Sequence, residues 1–271
     1  MMKNEMECPI CKEKGRAIFQ GKIMGKYEIQ YYQCRNCAFV YTERPYWLEE
    51  SYLDSITSVD TGIMSRNVDN VLAANVLLKN FFSCDKVFLD YGGGYGIFTR
   101  MMRDIGYNWL WQDKFSENYL ARGFEYKNRQ KIELITAFEL FEHFDRPIEE
   151  MEYLFKISDS ILFSTLLYDD GNKYKRFGDW WYYVPETGQH ISFYSKITLE
   201  YIAKKYNVNY YKINDALHLF TTKKLNVQKL NALINRKYSW MIQSFYYHKA
   251  RKNNRAVQDM NMILRKRECD G

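Results

Sequence analysis

A short apolar stretch, Val87-Phe88-Leu89, runs directly into Asp90-Tyr91-Gly92-Gly93-Gly94-Tyr95-Gly96 and from there into a helical pattern at 97–105. No other stretch constrains the fold as much. A glycine-rich first strand-to-helix turn lets a ligand approach the backbone at the carboxyl end of a parallel sheet. Around the turn the periodicity alternates: strand 86–91, helix 97–105, strand 108–112, helix 117–123, a weakly marked strand near 124–130, strand 132–138, helix 147–157 and strand 160–166. Helix 196–205 and closing strands at 208–213 and 217–222 follow, and an amphipathic helix at 66–82 precedes the series. This alternation predicts an α/β fold, a doubly wound and mostly parallel seven-stranded sheet covered on both faces.

The glycines themselves narrow the ligand. Gly92, Gly94 and Gly96 follow a Gly-x-Gly-x-Gly spacing, so the third glycine of a nicotinamide dinucleotide fingerprint falls on Ile97. A branched side chain there obstructs the close helix-to-strand packing that the fingerprint requires, which disfavours a dinucleotide. Asp113 follows the glycine turn at the end of the second strand. A carboxylate at that place accepts hydrogen bonds from ribose hydroxyls. The alternatives are a tight turn that holds no ligand and a solvated loop carboxylate.

Ahead of this region stand two cysteine knuckles, Cys8-Pro9-Ile10-Cys11 and Cys34-Arg35-Asn36-Cys37, set apart at the spacing of a zinc ribbon. Four thiolates in this arrangement fill the tetrahedral sphere of zinc and leave no position for substrate, so Cys8, Cys11, Cys34 and Cys37 are expected to hold a structural zinc. The competing reading is a redox Cys-x-x-Cys with a coincidental second pair. Cys84 and Cys269 read as a small buried residue and a tail residue.

With 46% hydrophobic and 27% charged residues, the chain has the composition of an ordinary globular protein. No apolar run approaches the roughly 20 residues of a membrane span, and the first residues lack a secretory pattern, which predicts a cytoplasmic protein. Charge is uneven. The segment 223–271 holds twelve Lys and Arg against three carboxylates, net +9, which leaves the segment 1–222 at −3 of the chain's +6. Val227, Leu230, Ile234, Tyr238, Met241 and Phe245 recur in this tail at helical spacing. Such a tail is drawn to an anionic membrane surface, a phosphorylated glycan or nucleic acid; a solvated or oligomer-forming helix is the alternative. The expected organisation is a zinc ribbon at 1–45, a ligand-binding domain at 46–222 with an aromatic insertion at 168–190, and a basic helical tail at 223–271.

Taken with Asp90–Gly96 and Asp113, the run Ile132-Glu133-Leu134-Ile135-Thr136-Ala137-Phe138-Glu139-Leu140-Phe141-Glu142-His143-Phe144-Asp145-Arg146-Pro147 resembles the class I S-adenosylmethionine-dependent methyltransferases. The run is similar to the family's fourth strand and following loop, with Glu133 in place of the customary Asp. The resemblance covers about residues 66–222. It implies a Rossmann-like methyltransferase fold and S-adenosylmethionine held by Asp90, Gly92, Gly94, Gly96, Asp113 and Glu139. A nearer resemblance is to the branch in which a cysteine zinc module precedes the domain, found among sugar C-methyltransferases and methyltransferases of surface-polysaccharide gene clusters. Those sugar enzymes carry Glu-His followed by Ser; here the positions read Gln189-His190-Ile191-Ser192, with Gln in place of the carboxylate.

Methyl transfer to a hydroxyl asks the protein to align the acceptor within about 3–3.5 Å and to receive its proton. Of the four histidines, His190 and His143 are placed to act as base, with Glu142 positioned to hold an imidazole. His218 and His248 are expected in packed or solvated roles. Trp180, Trp181, Tyr182 and Tyr183 offer flat rings with polar tips for an acceptor, or else a packed lid. The leading expectation is methyl transfer to an oxygen of a carbohydrate or its phospho-substituent in capsule or lipopolysaccharide biosynthesis, with a small-molecule or glycan acceptor. The alternatives are an RNA methyltransferase that grips nucleic acid through ribbon and tail, a sugar C-methyltransferase, and a zinc-ribbon scaffold without catalysis. Residues 1–65 are not strongly basic and carry no RNA-binding motif, which counts against nucleic acid.

Overall fold

The computed structural model describes residues 4–53, 56, 60–168, 176–234 and 239–270, with side chains as far as 265. The chain begins with β1 (Glu5–Glu7), β2 (Lys14–Ile23), β3 (Tyr27–Cys34), β4 (Val40–Thr42), α1 (Leu48–Ser51) and α2 (Ile63–Phe81). Next come β5 (Val87–Tyr91), α3 (Ile97–Asp104), β6 (Asn108–Gln112), β7 (Ile132–Ala137), α4 (Pro147–Ile157) and β8 (Ser160–Ser164). The rest is β9 (Ser192–Phe193), α5 (Lys196–Lys205), β10 (Asn209–Lys212), β11 (Leu217–Thr221), α6 (Val227–Ile234), α7 (Ser239–Ala250) and α8 (Ala256–Asp270).

The α/β part carries a mixed sheet in the order β10-β11-β8-β7-β5-β6. It has six described strands where seven were expected. The segment expected near 124–130 is reduced to a single parallel bridge, Trp111 to Glu125, in which the Trp111 amide donates to Phe124 and the Tyr126 amide to Trp111. The helix expected at 117–123 does not form either. Asn118 Oδ1 accepts the Ala121 amide at 2.8 Å and Gly123 takes a left-handed φ of 90°, so side-chain-to-backbone bonding replaces the helical ladder. Where the sequence carries strong end signals, expectation and structure agree: α4 opens on Pro147 with Glu149 and Glu150 in its first turn, and α5 opens on a Ser195–Thr198 capping box.

By its contacts the chain divides into two units. One comprises Met1–Thr57 and Ala137–Lys224. Its antiparallel sheet has the order β1-β2-β3-β4-β9, with Val40 opposite Phe193. The sequence pattern did not mark β9, which is two residues long and brings a distant segment to the edge of the cysteine-bearing strands. One face buries Ile23, Tyr31, Val40, Trp47, Tyr183 and Phe193, and the Trp47 indole donates to the Gly188 carbonyl at 2.8 Å.

The other unit comprises Ser58–Thr136 and Leu225–Gly271. Parallel β5, β6 and β7 lie at its centre, with Phe88 and Trp109 stacked 4.7 Å apart. The tail helices belong here: α6 and α7 pack on α2, and Asp259 of α8 reaches Arg103 of α3. The apolar series expected in the tail divides between α6 and α7. Leu230 and Ile234 are buried, Met241 and Phe245 are exposed, and Tyr238 lies outside the described residues.

Candidate functional site

In the second unit the glycine turn leaves β5 with Gly92, Gly94 and Gly96 at φ of 73°, 52° and 83°, conformations that glycine adopts without a Cβ penalty. Gly93, which sequence reasoning passed over, is fixed by packing. A Cβ there would meet Trp111 Cδ1 at 2.6 Å and Asp90 Oδ2 at 2.8 Å. The Trp111 indole donates to the Gly94 carbonyl at 2.9 Å, so strand β6 sets the shape of the turn. The segment 118–121 closes over it: the Tyr119 and Leu120 amides donate to the Tyr95 carbonyl, and a Cβ on Gly96 would meet Asn118 Oδ1 at 2.8 Å.

Asp113 stands at the end of β6 as expected. Its Oδ2 accepts the Gly94 amide at 2.9 Å, and its Oδ1 accepts the amides of Phe115 and Ser116, each at 2.8 Å. The carboxylate therefore ties the glycine turn to the end of the neighbouring strand, and Oδ2 keeps acceptor capacity for a hydroxyl. That acceptor fits the ribose hydroxyls of an adenosyl ligand, and the exposed ring of Phe115, two residues on, offers an apolar surface that the sequence did not single out. Asp90 was expected among the cofactor residues, yet its carboxylate is buried. Thr136 donates to one oxygen at 2.9 Å and Thr99 to the other at 3.0 Å. Burial, with the charge of Asp113 added, pushes it up to about 7 against the pull of the two threonines. Asp90 thus holds the turn, with Thr99 and Thr136 donating to its two oxygens.

In the first unit, the loop after β7 and the approach to β9 bring Glu142, His143 and His190 together, with their donor atoms within 4.8 Å of one another. The two imidazoles lie 4.9 Å apart and nearly perpendicular. Nδ1 of His190 is 2.6 Å from the Tyr182 carbonyl oxygen. A carbonyl only accepts, so Nδ1 carries the proton and Nε2 keeps a lone pair. Burial lowers His190 to about 4 and, together with His190 itself, holds His143 well below the usual histidine range, so both rings are neutral at neutral pH. Nδ1 of His143 shares a hydrogen bond of 3.1 Å with the Tyr52 hydroxyl, a partner the sequence did not indicate.

Glu142 does not hold an imidazole as expected. Its Oε1 accepts the Tyr182 hydroxyl at 2.6 Å, while Oε2 is buried with no hydrogen-bond partner. Burial, with Glu139 adding to it, pushes the carboxyl up to about 8, so it is largely protonated at neutral pH. Glu139 itself sits at a left-handed φ of 48°. Its amide donates to Ser164 Oγ at 2.7 Å, and that hydroxyl returns a bond of 2.5 Å to Glu139 Oε1. A non-glycine residue held in this region marks backbone that its surroundings constrain. Gln189 donates to the Ser51 carbonyl at 2.7 Å and serves structure.

The aromatic insertion divides. Trp180, Tyr182 and Tyr183 are buried in the core around Tyr31 and Phe193, so their ring faces meet protein rather than a ligand. Trp181, 71% exposed, keeps a free face. Residues 169–175 of the insertion lie outside the described residues.

The four cysteines converge. Cys8 Sγ lies 3.6 Å from Cys37 Sγ, and Cys11 Sγ lies 3.3 Å from Cys34 Sγ. These separations exceed a disulfide bond and approach the ~3.8 Å edge of a tetrahedron built on zinc–sulfur bonds of about 2.3 Å. Both knuckles make the same turn. The Lys12 amide donates to Cys8 and the Ala38 amide to Cys34, and Lys12 and Ala38 are both left-handed.

The sequence pattern of a methyltransferase domain matches residues 64–213, more than half of the chain. The chain belongs to the methyltransferase domain family. The domain is that of an S-adenosylmethionine-dependent methyltransferase, and the matched range includes the glycine turn, Asp113, Glu142, His143 and His190. Comparison with curated proteins gives no match. Among solved structures, this methyltransferase is similar to an O-methyltransferase family 2 protein from Planctomyces limnophilus in complex with apigenin, at 13% identity and TM-score 0.40, over 64% of this chain and 66% of the other. It is similar to magnesium protoporphyrin IX methyltransferase from Synechocystis PCC 6803 with bound SAM, at 14% identity and TM-score 0.41, over 65% and 92%. It is also similar to the bifunctional kinase-methyltransferase WbdD, at 12% identity and TM-score 0.38, over 60% and 40%. What those proteins bind and methylate is theirs alone. Among the described residues, no helix is long and apolar enough to cross a membrane.

Proposed function

We propose that this methyltransferase moves the methyl group of S-adenosylmethionine to an oxygen of a small hydroxyl-bearing acceptor, a carbohydrate or its phospho-substituent, in surface-polysaccharide biosynthesis. The observation that carries the reading is the state of His190: its Nδ1 proton is bonded to the Tyr182 carbonyl, its Nε2 is unprotonated, and burial lowers its pKa to about 4. A neutral imidazole of this kind accepts a hydroxyl proton as a new bond to oxygen forms.

When bound, S-adenosylmethionine supplies a methyl carbon activated by its sulfonium. Asp113 Oδ2 would accept a ribose hydroxyl while the Gly94 amide holds it in place. His190 would receive the acceptor's proton at Nε2, and His143, neutral beside it, would position the acceptor by hydrogen bonding. Trp181 offers its exposed face to a sugar ring. The surface-polysaccharide setting rests on the resemblance to the branch with a cysteine module. Cys8, Cys11, Cys34 and Cys37 would hold a zinc ion that closes the ribbon without taking part in the chemistry.

Two measurements test this. Calorimetry with S-adenosylhomocysteine should show binding that Asp113→Ala weakens at least tenfold. Protein incubated with methyl-labelled cofactor and a nucleotide-sugar and glycan fraction should place the label on oxygen. Label on a carbon or in RNA overturns the reading of the acceptor, and absence of cofactor binding overturns the whole.

A further inference from the structure

The exposed face of α7 is unusual for a surface helix. It packs on α2 through one side and turns Trp240, Met241 and Phe245 outward, at 64%, 54% and 64% exposure. Exposed Lys249 stands in the last turn of the helix, and exposed Arg251 and Lys252 in the 3-10 turn that follows it. The sequence holds no carboxylate between Asp215 and Asp259. Asp259 offers no opposing charge to the outside. It is buried, bonded through both oxygens to Arg103 at 2.7 Å and to Arg100 at 2.9 Å. Burial alone would raise its pKa, but the two guanidiniums outweigh that and hold the carboxyl below the usual range. Helix α8, fixed by this contact, adds its own exposed stripe of Val257, Met260 and Leu264 at helical spacing.

We propose that the surface of α7 and the cationic turn after it dock the protein on an anionic lipid bilayer. Charge selects the partner first. Two copies of this face would set cation against cation, whereas an anionic surface complements it. The apolar side chains select next. A bilayer interface accepts indole, phenyl and thioether groups among its headgroups, which is how an amphipathic helix lies in the membrane plane beside a row of Lys and Arg. A nucleic acid complements the charge but offers no apolar phase for Met241, Val257 or Leu264. The proposal does not depend on the reading of the catalytic residues. Its consequence is that the protein works at a membrane surface on an acceptor carried there.

Vesicle co-sedimentation of the full chain tests it, with phosphatidylcholine vesicles that either contain phosphatidylglycerol as the minor lipid or lack it. Binding to the anionic vesicles alone, lost on raising salt, is expected. Replacing Lys249, Arg251 and Lys252 by Gln should weaken it by about fivefold for each cation removed. The double variant Trp240→Ala, Phe245→Ala should weaken it by at least tenfold with unchanged circular dichroism. The proposal is overturned if the wild-type chain stays in solution, if it binds neutral vesicles equally, or if the double variant binds as wild type does. It is also overturned if the face proves occupied by a second copy in sedimentation equilibrium, or by RNA while vesicles go unbound.

Discussion

Replacing Glu142 by Gln removes one ionisation and almost nothing else. Glutamine keeps the acceptor oxygen that the Tyr182 hydroxyl uses and matches the carboxyl in size, and the second oxygen position has no partner to lose. In the folded protein the Glu142 carboxyl is raised from an ordinary 4.5 to about 8. Between those values the folded chain keeps a proton that the unfolded chain releases, so the stability this group contributes is full below pH 4.5 and falls as pH rises through 8. At about 1.4 kcal/mol per pH unit, the accumulated loss is about 2 kcal/mol at pH 6 and about 4 kcal/mol at pH 8. The Gln variant has no such loss. Other titrating groups are common to both proteins and cancel in the difference, including His190, whose lowered value works in the opposite sense between pH 4 and 6.5. Urea denaturation of both proteins at pH 6, 7 and 8 should therefore show the variant gaining about 2 kcal/mol on the wild type across that range. Parallel curves, or a gap that narrows as pH rises, would refute the buried neutral carboxyl.

Four further outcomes are expected. Asp259→Asn leaves the Arg103 guanidinium buried without its bidentate partner, so thermal unfolding should register a loss of about 3–5 kcal/mol. Gly93→Ala drives a methyl group into Trp111 and Asp90; it should lower stability by about 1–3 kcal/mol and weaken S-adenosylhomocysteine binding in the same calorimetric titration. Cys11→Ser should bring metal content, measured by atomic emission, well below one zinc per chain and expose residues 4–42 to limited proteolysis. If His190 is the base, kcat/KM should rise through pH 4 and stay level from 6 to 8, and His190→Gln should reduce it by about 10²–10⁴-fold.

Much of this was legible in the sequence because local signals and tertiary structure agree. The glycine turn, β6 ending at Gln112 with Asp113 next, α4 opening on Pro147 and α5 on Ser195 all carry their cause within a few residues. The misreadings share another cause, in that a distant partner decided the outcome. The segment 117–123 looks helical until the Tyr119 and Leu120 amides bond to the Tyr95 carbonyl of the glycine turn, more than twenty residues back. Ser192–Phe193 is too short to announce a strand and becomes one only because Val40 and Tyr41 wait opposite. Trp180, Tyr182 and Tyr183 are as suited to a sugar as to a core, and only the inner face of the β2–β4 sheet decides that they pack. Likewise Glu142 reads as an imidazole's partner until Tyr182, far along the chain, takes it.

If His190 is the base, as proposed, its low basicity bears on which atom is methylated. A sugar carbon must give up its proton before or during attack, and that proton is held too strongly for an imidazole lowered to about 4 without a carboxylate behind it. Gln189, donating to Ser51, supplies none. An oxygen acceptor makes a smaller demand. As the new bond forms, the hydroxyl oxygen becomes positive and its proton strongly acidic, so even a weak neutral base removes it late in the step. Such a base also stays unprotonated across the whole physiological pH range, ready to take that proton. The burial that makes His190 a poor base for carbon thus suits it to oxygen, and the requirement falls on Tyr182, whose carbonyl fixes the tautomer and whose hydroxyl occupies Glu142.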